Sequence, residues 1–268
     1  MQQILQELGV SVNVSNVLLI WALLMARVMP LILLAPFMGG DVVPAPVKMG
    51  IGIALSVLLY PLLADTPIPS GSITFVLLLL KEVFVGLAVA FASSIAFQAA
   101  QAAGTYVDTA SGANMATVFV PQIQSQATLF ASFKFQFAVV VFLALNGHHV
   151  VIQALFHSFE VVPLEAWPRF GRGFWPLFEL VIRMSAHLVV VAVALAAPAA
   201  IAVFIVDLSL GLINRIAPQI QVFFISMSIK PMVVTLMTLL ALLVAYDRLV
   251  EVFEWMLAQV NEVVGLFA

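Results

Sequence analysis

Cysteine is absent from the 268 residues, which excludes disulfides, iron–sulfur clusters and thiol catalysis and leaves the redox compartment open. Charge is scarce as well. Ten Lys and Arg and thirteen Asp and Glu make up 9% of the chain, against roughly a quarter in soluble domains. The net charge is −3 and the basic residues are scattered, so no cluster points to nucleic acid as a partner. Histidines number four. His148 and His149 are adjacent, and a helix turns about 100° per residue, which would put His148 and His157 on opposite faces. No His-x-x-x-His pair occurs, so neither a metal nor any other cofactor is expected. Gly-x-Ser-x-Gly, Walker-type and Gly-x-Gly-x-x-Gly patterns are missing too, and no pair of groups forms an enzyme's constellation.

What is present is apolar. Hydrophobic residues make up 64% and mean hydropathy is +1.18. The runs are too long for barrel strands, so the fold class is an all-α integral membrane protein whose surface meets lipid. The N-terminal MQQILQELGVSVNVSN lacks the basic region of a cleavable signal, and the first apolar helix is expected to persist in the mature protein.

Six apolar runs follow one another. The first covers about 14–34, with Arg27 and Pro30 inside it, and ends in the Gly- and Pro-rich 35–46. An arginine there is expensive in lipid and is expected to face protein, water or the nearby interface. The second, about 47–63, carries Gly50 and Gly52, which permit close helix contact. The third, about 73–103, is overlong, contains Lys81-Glu82, and then presents many Gly, Ala and Ser residues, as a helix packed on most sides does. The fourth, about 127–145, ends at Asn146-Gly147-His148-His149, and a short amphipathic helix over 150–159 is expected next. The fifth, about 174–206, contains Pro198, which predicts a kink. A polar hinge is expected over 207–221, then a last apolar run over 222–246 broken by Lys230-Pro231. The tail, 247–268, alternates acids with apolar residues as an amphipathic helix does. Basic residues are spread too evenly to orient the spans. The whole is expected to be one membrane-embedded domain, 1–268, with two halves near 1–150 and 151–268.

The stretch GTYVDTASGANMATVFVPQIQSQ, Gly104 to Gln126, is different. It has glycines, a proline, Asp108, Asn114 and glutamines, yet also Met115, Val118, Phe119 and Val120. It reads as a loop packed in protein or lining a watery cavity, since irregular backbone at membrane depth is tolerated only there. The other intramembrane ions, Lys81, Glu82, Arg183, Asp207, Arg215 and Lys230, each cost a few kcal/mol in lipid. They suggest subunit contacts or an aqueous lumen; Asp207 and Arg215 are expected to pair on one helix. A self-contained secondary transporter of a small solute is the rival reading, and it predicts internal repeats with discontinuous helices in matching positions.

Four motifs carry a resemblance: LLLLKEVFVGL (77–87), VDTASGANMATVFVPQ (107–122), FLALNGHHVVIQALFHSFEVVP (142–163) and DLSLGLINRIAPQIQVFFISMSIK (207–230). Together they resemble the FliR/SctT (SpaR/YscT-like) export-gate family of bacterial flagellar and type III secretion systems. The form SMSIK is closer to the injectisome branch. The resemblance implies a bacterial inner-membrane subunit at the base of a flagellum or secretion system. Its partners would be FliP/SctR-type and FliQ/SctS-type subunits, a FlhB/SctU-type switch protein and unfolded export substrates. It also implies long kinked helical hairpins in a hetero-oligomeric helical assembly. The family's pore plug falls by position on the central stretch. Asp108, Gly112, Asn114, Met115, Phe119 and Pro121 are then its candidate residues, and Lys81, Glu82, Asp207, Arg215 and Lys230 are candidate assembly groups.

Overall fold

A computed structural model describes residues 14–38, 43–64, 66–69, 71–113, 129–169 and 173–268. Among these residues there are eight α-helices and no strand. They are α1 (Val14–Leu34), α2 (Ala45–Leu63), α3 (Ser72–Ser111), α4 (Leu129–Ala144), α5 (Gly147–Val161), α6 (Trp175–Ile216), α7 (Val222–Leu240) and α8 (Leu242–Gly265). A 3-10 turn, Pro36–Met38, follows α1. Five helices are long and apolar enough to cross a membrane, or six spans if the bent pair α4–α5 counts as one. At 40 and 42 residues, α3 and α6 extend about 60 Å, twice the roughly 30 Å hydrocarbon core.

The chain divides into two compact units, each drawn from separated segments. One comprises residues up to Ser94, His148–Glu179 and Leu257–Ala268. Here α1 and α2 pack closely because Gly52 has no side chain: a Cβ there would lie 2.7 Å from Met29 Sδ and 3.2 Å from Ile32 Cδ1. Gly50, by contrast, faces open space. Gly86 on α3 does the same work against α1, where a Cβ would come within 2.3 Å of the Arg27 carbonyl oxygen.

The other unit comprises Ile95–Gly147 and Leu180–Met256. At its centre Phe97, Phe142 and Phe253 form a triangle of rings, each pair 5.1 Å apart, all buried. Edge-on and tilted contacts of this kind add to burial through ring quadrupoles. The Asn146-Gly147 break is built into this cluster. Asn146 takes a positive φ of 57°, and a Cβ on Gly147 would collide with the Phe142 ring at 2.3 Å. Here α4 ends at Ala144 and α5 begins at Gly147.

Three expected boundaries move. First, α3 does not stop near Ala103 but continues to Ser111, so the first third of the expected loop is helix. Thr105 and Thr109 donate their hydroxyls to the carbonyls of Gln101 and Thr105, and Gly104 is retained for a close contact described below. The stop is Gly112, with φ of 77°, the left-handed terminus that glycine adopts without strain. Second, the polar hinge shrinks to 217–221, because nothing before Pro218 prevents α6 from running to Ile216. Third, Lys230-Pro231 does not break α7, which runs through it to Leu240. The helix ends instead at Ala241, and α8 starts at Leu242. As expected of an amphipathic tail, α8 buries Leu249, Phe253, Met256 and Val260 and exposes Asp247, Glu251, Glu254 and Glu262.

Candidate functional site

The first cluster of functional groups is Arg27–Lys81–Glu82, and it faces protein. Arg27 is fully buried, as is Glu82. Its Nε donates to Glu82 Oε2, Nη1 donates to the Ser158 carbonyl at 2.6 Å, and Nη2 donates to the Val162 carbonyl at 2.8 Å. Its Cζ lies 4.2 Å from the centre of the Phe159 ring. Lys81 donates to the carbonyls of Pro163, Leu164 and Ala166 at 2.9, 3.0 and 2.9 Å. An ammonium has three N–H donors, so all are used. Glu82 Oε1 lies 2.6 Å from Lys81 Nζ, so the carboxylate pairs with this ammonium as well as with Arg27.

Arg27 meets carbonyls at the C-terminal end of α5, where the dipole favours positive charge, and Lys81 meets those of the turn that follows. Glu82 neutralises part of the charge so introduced. The adjacent pair Lys81-Glu82 on one helix, with Arg27 on another, thus holds the turn 162–166 in place.

The second cluster surrounds Asp108, buried near the end of α3. Its Oδ1 accepts the Phe130 N–H at 3.1 Å and its Oδ2 the Ala131 N–H at 2.9 Å. Both donors belong to the first turn of α4, whose N–H groups have no partner within their own helix. A carboxylate there meets the positive end of the helix dipole, so Asp108 caps a neighbouring helix. The approach depends on Gly104, one turn earlier: a Cβ would lie 2.3 Å from Ala131 Cα. Ser111 Oγ donates back to the Asp108 carbonyl at 3.1 Å. Farther along α4, Lys134 donates to the Leu195 carbonyl at 2.7 Å, three residues before Pro198, where the proline interrupts the helical ladder of α6.

Of the expected plug residues, Asp108 and Gly112 are described, and Asn114, Met115, Phe119 and Pro121 lie outside the described residues. The expected Asp207–Arg215 pair is replaced. Asp207 on α6 pairs with Lys230 on α7 at 2.6 Å, while Arg215 is exposed in the last turn of α6, where a cation suits the dipole. Eight residues along a helix separate Asp207 and Arg215 by about 12 Å of rise, whereas the antiparallel return of the chain brings Lys230 alongside. Arg27 and Lys134 acquire roles as carbonyl partners that spacing could not indicate, because their partners lie 131 and 61 residues away. Among the described residues no cluster of three metal-ligating side chains occurs; His148 and His149 contact one another, and His157 meets Glu160 at 2.9 Å.

Residues 18–256 match the family described as bacterial export proteins, family 1. The chain belongs to this family. The chain is similar to the flagellar biosynthetic protein FliR of Bacillus subtilis, 26% identical over 91% of this chain and 94% of that protein. The Yop proteins translocation protein T of Yersinia pestis is 29% identical over 84% and 86% of the two chains. FliR of Pectobacterium carotovorum is 30% identical over 80% of each. Flagellar and translocation relatives thus match over most of their own lengths. With its five or six spans, this member is a multi-pass protein of the bacterial inner membrane with a role in protein export, and it assembles with other components of the export apparatus.

Proposed function

We propose that the chain is a core subunit of the type III export gate, flagellar or injectisome, lining and plugging the channel through which unfolded substrates cross the inner membrane. Its partners in this reading are FliP/SctR-type and FliQ/SctS-type subunits and a FlhB/SctU-type switch protein. One observation carries it: the Asp108 carboxylate ties the last turns of α3 to the first turn of α4, across the stretch that contains Met115 and Phe119. Two helices clamped at a common base are a suitable support for a plug. Methionine and phenylalanine suit a constriction, since they pack without fixed hydrogen bonds and methionine adapts its shape. Gly112, with its positive φ, sets the direction in which the chain leaves α3.

The test is ion conductance of the gate, assembled by co-expression with its P-type and Q-type subunits and checked by native mass spectrometry. Deleting Ser111 to Phe119 is expected to raise leakage while the complex stays intact. Unchanged conductance in an intact complex overturns the plug, and failure to find any such complex overturns the gate.

A further inference from the structure

Between α4, α6, α7 and the start of α8 lies a partly open cleft of about 50 Å³. Its walls are mostly apolar, with Phe133, Phe137, Leu195, Pro198 and Met237 among them, and alanines on α3, α6 and α8 leave the space unfilled. Ligand sites share the chemical side of this character: concave and apolar, with a few converging polar groups.

Three polar side chains line it: Lys134, Thr238 and Arg248. Lys134 spends one N–H on the Leu195 carbonyl and forms no ion pair among the described residues, so two donors remain. Thr238 Oγ1 is sealed from solvent with no hydrogen-bond partner, an arrangement that costs free energy unless something meets it. Arg248 contacts Glu251 through Nη1 at 2.8 Å, which leaves the rest of its guanidinium fork for an acceptor.

We infer that this cleft binds an anionic amphiphile, its acyl chain lying against the apolar walls and its phosphate or carboxylate head at Lys134 and Arg248. The walls select the tail. They are mostly apolar, which suits an alkyl chain lying along the open cleft and not a hydrated ion. Charge selects the head, because two cations and an unpaired hydroxyl offer donors and no competing carboxylate pairs with Lys134. A membrane protein is surrounded by ligands of this class, the anionic phospholipids. The inference is independent of the plug.

The test uses the purified full chain, alone and in the assembled gate, with native mass spectrometry counting retained lipid. Phosphatidylglycerol is expected to be retained in preference to phosphatidylcholine of matched chains. Lys134→Gln is expected to weaken that retention by about tenfold or more, the worth of a charge-assisted hydrogen bond, and Lys134→Arg to restore it. Should Lys134→Gln not fold, Ala245→Leu, which fills the cleft, is expected to expel the lipid without touching the charge. Equal retention of both lipids, or retention indifferent to Lys134→Gln and Ala245→Leu, overturns the inference. Displacement by inorganic phosphate alone overturns the amphiphile in favour of a free anion. Loss of the lipid on assembly overturns it in favour of a partner side chain.

Discussion

Arg27 and Glu82 put the largest electrostatic stakes on single residues. Both are fully buried, and removing one member of a buried pair strands the other, at a cost of about 3–5 kcal/mol. Glu82→Gln is therefore expected to destabilise the detergent-solubilised chain by that amount in a denaturation series, because Arg27 and Lys81 would then share a site with no anion. The paired change Arg27→Leu with Glu82→Leu is expected to be milder than either single one, since no uncompensated charge remains. A neutral Glu82→Gln would show that the carbonyls of Ser158 and Val162 suffice for Arg27. Asp108 makes a more local claim. Asp108→Ala leaves the N–H groups of Phe130 and Ala131 without acceptors, at about 1–3 kcal/mol. Hydrogen exchange of those two amides is expected to accelerate at least tenfold, with little change in α8. Equal protection in the variant would mean that the first turn of α4 is held by packing alone.

Helices succeed or fail at their ends and at their crossings, and glycine decides both. Gly104 and Gly211 each lie inside a long helix, but a Cβ on Gly104 would strike the Ala131 backbone at 2.3 Å while one on Gly211 meets nothing within 4 Å. Backbone cannot swing aside as a side-chain tip can. Gly104→Ala is thus expected to destabilise by about 1–3 kcal/mol, as overpacking does. Gly211→Ala is expected to stabilise by up to about 1 kcal/mol through helix propensity and a less flexible unfolded chain. Apparent melting temperatures of the two variants in one detergent compare them directly, and shifts of the same sign would contradict the crossing. This contrast marks how far the residues could be read. Hydropathy delimited α1 and α2 closely, and the Asn146-Gly147 break was legible because an asparagine–glycine pair tolerates positive φ. Where α3 and α6 end was not, because Asp108 and Asp207 looked like loop residues until partners from other helices appeared. Ala241 carries no local signal at all. The site was half legible in the same way: Lys81-Glu82 and Arg27 stood out as costly ions, but which carbonyls they meet depends on a crossing that no local pattern encodes.

At the scale of the whole molecule the unequal burial of the helices is the main fact. Within the most apolar window of α3, 44% of residues are buried inside the chain, against 6% for α7. Most of α7 therefore awaits a covering, and lipid and protein make different demands on it. The Asp207–Lys230 pair separates them. Asp207 is about half exposed and Lys230 one-fifth exposed, beside Phe204, Leu208 and Phe223, all more than half exposed. An exposed ion pair in lipid costs a few kcal/mol on insertion scales, whereas one that meets water or polar groups of a neighbouring subunit does not. Replacing both residues with leucine distinguishes the environments. If lipid covers this face, the double variant is more stable and assembles at least as well. If a subunit of the export apparatus covers it, the isolated variant keeps its melting temperature within a few degrees while the yield of co-purified complex falls several-fold. The second outcome is the expected one, because α6 exceeds twice the length that lipid can cover, so part of its apolar surface must be met by protein. Lipid exposure would instead require the pair to be dispensable for assembly, which the yield of complex from the double variant measures directly.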